Sequence, residues 1–293
     1  MTHNKINFQK RRDLGEIITD TFGFLRENLK PLSKAIFKIT GPVFLILLLA
    51  ISYYSYLGMD LLENSIFEMA EEMSSEMYLI SIFILGAAIF AFYILLYATI
   101  LHYIKSYVEH DGIVNETEVY QGVKDNFGGM LGILFLSTIM VAVGTLLCIL
   151  PGIYLWVPLS IAPAVLVFSQ RPVMDSISHT FDLVKDNWWT TFFSFFVIAL
   201  LIYIIGLIFQ FPMMIYFFVK AITSSQEGSL ADPGSLIDWV YVVFNVVSSL
   251  AQYLLTGILI IASAFIYYNL DEKKNFTGSY QTISNLGSQE NNN

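Results

Sequence analysis

Histidine and cysteine are where metal binding or nucleophilic catalysis would begin, and this chain of 293 residues has 4 of the first and 1 of the second. His3, His102, His110 and His179 do not have the spacing that would set two imidazoles on one metal ion. Cys148, alone and inside an apolar run, rules out an intramolecular disulfide or a multi-cysteine zinc site and reads as a small packing residue. There is no phosphate-loop lysine motif, no G-x-S-x-G elbow and no H-E-x-x-H. Glu109-His110-Asp111 reads as a solvated loop. An enzyme would need His179, Asp182 and Lys185 to converge with His102 or His110. The expectation is therefore no catalytic, cofactor-binding or metal-binding residue, no cofactor and no nucleic-acid partner.

A different chemistry is written three times. Arg26-Glu27-Asn28, Lys124-Asp125-Asn126 and Lys185-Asp186-Asn187 each place a base, an acid and an asparagine at the end of an amphipathic stretch. Leu29, Phe127 and Trp188 follow, each leading towards an apolar run. Arg12 aligns with Arg171 without gaps, and Thr21-Phe22 meets Thr180-Phe181. A base at a helix end suits the helix dipole, and Asn tolerates the left-handed geometry that ends a helix. The spacing predicts interfacial elbows built on Asn28, Asn126, Asn187, Phe127 and Trp188. Arg26, Lys124 and Lys185 are the candidate contacts for anionic lipid headgroups.

Elbows need spans to turn into. Mean hydropathy is +0.63, with 56% hydrophobic and 13% charged residues, outside the range of soluble domains. Apolar runs at about 36–57, 78–103, 130–150, 153–169, 189–218 and 240–268 are each of the order of the roughly 20 residues a crossing requires. Amphipathic helices are expected at about 12–29, 60–76, 116–127 and 172–187. Pro31 should interrupt the first, and Asn115 with Glu118 should start the third. The 60–76 helix carries Glu68, Glu72 and Glu76 at i,i+4 spacing, a solvated acidic face or a site for cations or protein. Pro151-Gly152, Pro158 and Pro163 make the third and fourth spans the least regular hairpin. Residues 1–11 read as flexible and 271–293 as a disordered tail, with one membrane domain at 12–270 between them. The fold class is thus all-α: a polytopic bundle of six transmembrane helices, in three repeats of interfacial helix plus helical hairpin.

A cytoplasmic N-terminus puts nearly all the basic residues inside and leaves Lys220 at a span boundary, where it can snorkel. The polar N-terminal stretch does not read as a signal peptide. The expected location is the bacterial cytoplasmic (inner) membrane, multi-pass, with both termini cytoplasmic. The span centres hold Asn245, Gln252 and Gln210 but no ionisable residue, an arrangement that fits helix-to-helix hydrogen bonding better than an ion pathway.

The run Ile149 to Phe192, with its Pro-Gly hairpin, proline-interrupted span, amphipathic helix and aromatic re-entry, resembles a loose bacterial group. It is similar to the membrane domain attached to some glycerophosphodiester phosphodiesterases and to related stand-alone six-span proteins. Arg12 to Leu32 is similar to the start of such proteins. Ser169-Gln170 stands where relatives often carry an acidic residue, and the catalytic domain is absent, so the resemblance implies no hydrolase activity. The expected function is a non-catalytic membrane protein that organises lipids or partner membrane proteins. The alternative is a transporter or flippase for an apolar or lipid-like substrate, with Asn245 and Gln252 lining a polar cavity at mid-membrane.

Overall fold

A computed structural model describes residues 6–63, 76–226, 238–278 and 280, and every regular element among them is helical. The long helices are α1 (Leu14–Glu63), α2 (Glu76–Glu109), α8 (Trp188–Gln226) and α9 (Trp239–Asn275). Between α2 and α8 lie α3 (Glu116–Asp125), α4 (Phe127–Leu147), α5 (Ile149–Leu159), α6 (Ala162–Ser169) and α7 (Val173–Val184), the last followed by a 3-10 turn, Lys185–Asn187. Six stretches are long and apolar enough to cross a membrane: Leu14–Leu57, Glu76–Glu109, Phe127–Leu147, Ile149–Ser169, Val173–Thr223 and Trp239–Asn275. The expected acidic stretch at 60–76 falls largely on residues 64–75, outside the described residues.

The chain divides into two compact units. The first comprises residues 1–39, 94–200 and 257–293. Its core is aromatic. Phe8 stacks on Phe265 at 4.2 Å and meets Phe24, Tyr107 and Tyr268 edge-on at 5.3, 6.0 and 5.7 Å. All of α6 from Ala162 to Val167 is buried, as is α9 from Ile260 to Leu270. In the second unit, residues 40–93 and 201–256, α1 and α2 run antiparallel, with Phe44 on Phe92 at 5.8 Å and the Tyr78 hydroxyl donating to that of Tyr54 at 3.2 Å. α8 and α9 do the same: Ser248 donates to the Phe209 carbonyl at 2.7 Å, and Asn245 Nδ2 to Met213 Sδ at 3.8 Å. Asp238 caps α9 by accepting the Val240 and Tyr241 N–H groups, and also accepts the Tyr216 hydroxyl at 2.5 Å. Burial opposes its charge, but these bonds and Lys220 hold its carboxyl down at about 2.

Several expectations are corrected. Pro31 does not interrupt its helix: α1 runs through it without a break. A proline inside a helix costs one i→i−4 bond, here the one its absent N–H would have made to the Glu27 carbonyl. Within the polar stretch 1–11, Phe8 is 1% exposed and sits at the centre of the core. The tail does not begin at Asp271: α9 continues to Asn275, and buried Glu272 accepts the Gly278 N–H at 2.7 Å. The fourth span is two helices, α5 and α6, parted between Pro158 and Pro163 as the irregular hairpin predicts. Asn115 does start α3, its side chain accepting from the Thr117 and Glu118 N–H groups.

Candidate membrane-interface site

The three elbow asparagines all lie in the first unit, and each is tied to a side chain near the C-terminal end of a long helix. Asn28 is buried inside α1, donating to the Phe24 carbonyl at 3.1 Å while its Oδ1 accepts the Tyr103 hydroxyl of α2 at 3.3 Å. Asn126 sits between α3 and α4, and its Nδ2 lies 3.2 Å from His102 Nε2, also of α2. An amide nitrogen is a donor, so this ring nitrogen acts as the acceptor. Asn187 Oδ1 faces Lys273 Nζ of α9 at 3.4 Å. Gly122 brings α3 so close to α2 that a Cβ there would run into the His102 ring.

The left-handed geometry expected of these asparagines is absent. Asn126 has φ −95° and ψ 6°, and among described non-glycine residues only Asp111, Gln170 and Phe276 have positive φ. The first elbow continues as α-helix, the second breaks at Asn126, and the third tightens into the 3-10 turn. The asparagine side chain is used for anchoring, which leaves the backbone free to differ. Phe127 and Trp188 do begin α4 and α8. The Trp188 indole N–H donates to the Tyr154 carbonyl at 3.2 Å, and its ring stacks on Tyr154 and Phe192.

Arg26, Lys124 and Lys185 are all exposed. Among the described residues none of them is in an ion pair, whereas neighbouring lysines are occupied. Lys34 and Lys38 both bind Glu116, at 2.7 and 3.2 Å. Their hydrogen bonds hold the Glu116 carboxyl below the ordinary range. Lys10 lies 3.6 Å from Glu16 and 3.4 Å from Asp20. Arg26 lines a hollow of about 930 Å³ with Lys10, Asp20 and Glu27, and a smaller one of about 490 Å³ with Asn28, Lys30 and Tyr107. Lys185 lines a groove of about 900 Å³ whose other walls include Pro151, Tyr154, Trp188 and Trp189.

The strongest anchor was hidden in the sequence. Arg12 is 3% exposed. Its guanidinium donates to Asp20 at 2.8 Å, to the Phe8 and Lys10 carbonyls at 2.6 and 3.1 Å, and to the Asn7 carbonyl. Its backbone N–H donates to Asn269 of α9 at 2.8 Å, and the guanidinium lies over the Phe265 ring at 4.8 Å. Tyr103 and Lys273 were also missed as anchors; the polar pair His102-Tyr103 near the end of an apolar run was the available signal.

The described histidines have separate partners. His102 is engaged by Asn126, while His110 lies 3.1 Å from the Ser106 carbonyl and 3.4 Å from Glu118. The charged groups around His179 are Arg171, Lys274, Asp271 and Asp182. No three metal-ligating side chains cluster among the described residues.

A profile of an uncharacterised protein family, UPF0259, matches residues 14–227, which takes in all three elbows and α1 to α8. The chain belongs to this family. No curated protein and no solved structure matches it. The elbows of this UPF0259 member thus lie within the part that defines the family, whereas Arg12 and the Asn269 and Lys273 anchors lie outside it.

Proposed function

We propose that the protein is a non-catalytic component of the bacterial inner membrane that organises anionic lipid, or partner proteins held through it, around its three elbows. The carrying observation is the contrast within each elbow. The asparagine is fixed to a neighbouring helix, while Arg26, Lys124 and Lys185 are exposed and without an ion pair among the described residues. Exposed cations, with Trp189 beside Lys185, suit phosphate headgroups at an interface. The distribution of basic residues supports a cytoplasmic position for the elbows and both termini. The three stretches aligned in sequence support a threefold repeat.

The transporter reading draws no support from its named residues. Asn245 faces Met213, and Gln252 packs where a Cβ on Gly206 would stand, so both face α8 as helix-to-helix contacts do.

The test is lipid retention. The triple variant Arg26→Gln, Lys124→Gln, Lys185→Gln, extracted in native-lipid particles, should co-purify with a lower share of anionic phospholipid than the parent. An unchanged lipid profile in a folded triple variant overturns the proposal.

A further inference from the structure

α4 is 21 residues long, about 30 Å at 1.5 Å per residue, which is enough to cross the hydrocarbon core. A crossing helix must leave its two ends at opposite faces of the membrane. Here its start, the tip of its hairpin and the end of the return helix all meet the same end of the first unit. The start is Asn126, bound to His102, in the last part of α2. The tip is Pro151 and Tyr154, which border the groove with Lys185 and Trp188, where Asn187 meets Lys273 in the last turn of α9. The return ends at Ser169, whose Oγ lies 3.1 Å from the Tyr267 hydroxyl, again on α9. The ends of α2 and α9 are themselves level, because Tyr107 and Tyr268 both pack on the Phe8 ring.

We propose that the α4–α5 hairpin does not cross the bilayer but lies within the leaflet nearest the two termini, with lipid acyl chains covering its tip. The tip is the most exposed apolar segment of the hairpin: Leu146, Leu147, Ile149 and Leu150 are 87, 79, 69 and 74% exposed. Beside it stand Lys185, Trp188 and Trp189, a cation and an aromatic belt of the kind that sits at headgroup level. Acyl chains are thus the occupant that matches four exposed aliphatic side chains beside such a belt. The tip is also built for a medium without water, where unpaired backbone groups are costly. The Cys148 N–H donates to the Gly144 carbonyl at 3.1 Å, and its carbonyl accepts the Gly152 N–H at 3.4 Å. Gly144 and Gly152 let the two helices close tightly, since a Cβ on either would press into the facing helix. Four long helices then cross, an even number, and both described chain ends stay on one side. This proposal rests on geometry and does not depend on which headgroups the elbows select.

Cys148, the only cysteine, stands at the tip and makes the test direct. The full chain in sealed spheroplasts is treated with a membrane-impermeant maleimide, beside a Cys148→Ser, Thr223→Cys control that reports the far end of α8. A Lys185→Cys variant is separately treated with a short bis-maleimide, and the link to Cys148 is read by mass spectrometry. The expected result is labelling of the control and not of Cys148 from that face, with the cross-link formed. Labelling of Cys148 from the control's face, or failure of the cross-link to form, overturns the proposal.

Discussion

Arg12 and Arg171 open two stretches that align without gaps, yet they meet opposite fates. Arg12 is buried and spends its guanidinium on Asp20 and three backbone carbonyls. Arg171 is exposed and has no ion pair among the described residues. The asparagines at the other end of these stretches diverge in the same sense. Asn28 is buried in an unbroken helix, its donor satisfied four residues back and its acceptor by Tyr103. Asn187 is half-buried in a 3-10 turn and reached by a lysine at 3.4 Å. The difference teaches that one local pattern serves as core where other helices cover it and as a corner where they do not. Tertiary cover, not the pattern, decides whether the helix bends.

The comparison can be broken by substitution. Arg12→Ala should destabilise the protein most, by about 3–5 kcal/mol, because Asp20 and several carbonyls lose their buried partner. Arg171→Ala should fall within about 0.5 kcal/mol, as exposed substitutions do. Unfolding in one detergent measures both, and equal effects would erase the distinction. Next in size, Asn28→Ala should cost about 1–3 kcal/mol through the unpaired Tyr103 hydroxyl, with Asn126→Ala smaller and Asn187→Ala near zero. A reversed order in the same unfolding series would show that the corners, not the straight elbow, bear the load.

The smallest effect concerns pH. Lys34 and Lys38 lower the folded-state pKa of Glu116, so its contribution to docking α3 is present above the ordinary carboxylate value and is lost as pH falls through the lowered one. Hydrogen-exchange protection in Glu116–Asp125, corrected for the intrinsic pH dependence of exchange, should therefore fall on acidification in the parent and change less in Glu116→Gln. Matching pH profiles in the two proteins would remove Glu116 from the account.

What the sequence made legible follows from which forces act locally. Apolar run length marks stretches able to cross a membrane without reference to any neighbour, so six such stretches were readable. The Asn115 cap was readable because its bonds reach only two and three residues ahead. The partners of Asn28, Asn126 and Asn187 lie 75, 24 and 86 residues away, beyond any periodicity. Pro31 misled because a break was inferred from one lost bond, while Leu32 and Ala35 beside it are buried and packing carries the helix through. Phe8 was unreadable for the same reason: a single aromatic in a polar stretch gives no pattern, and its value comes from four rings brought to it from elsewhere.

The bond from Arg12 to Asn269 joins residues 257 apart. During synthesis the Arg12 N–H cannot reach its Asn269 partner until α9 has followed it. Every earlier intermediate carries an unlocked N-terminal segment and an incomplete Phe8 cluster. The closing of that segment therefore waits for α9, and a variant lacking α9 would be distinguishable from the parent by its unfastened Arg12 segment.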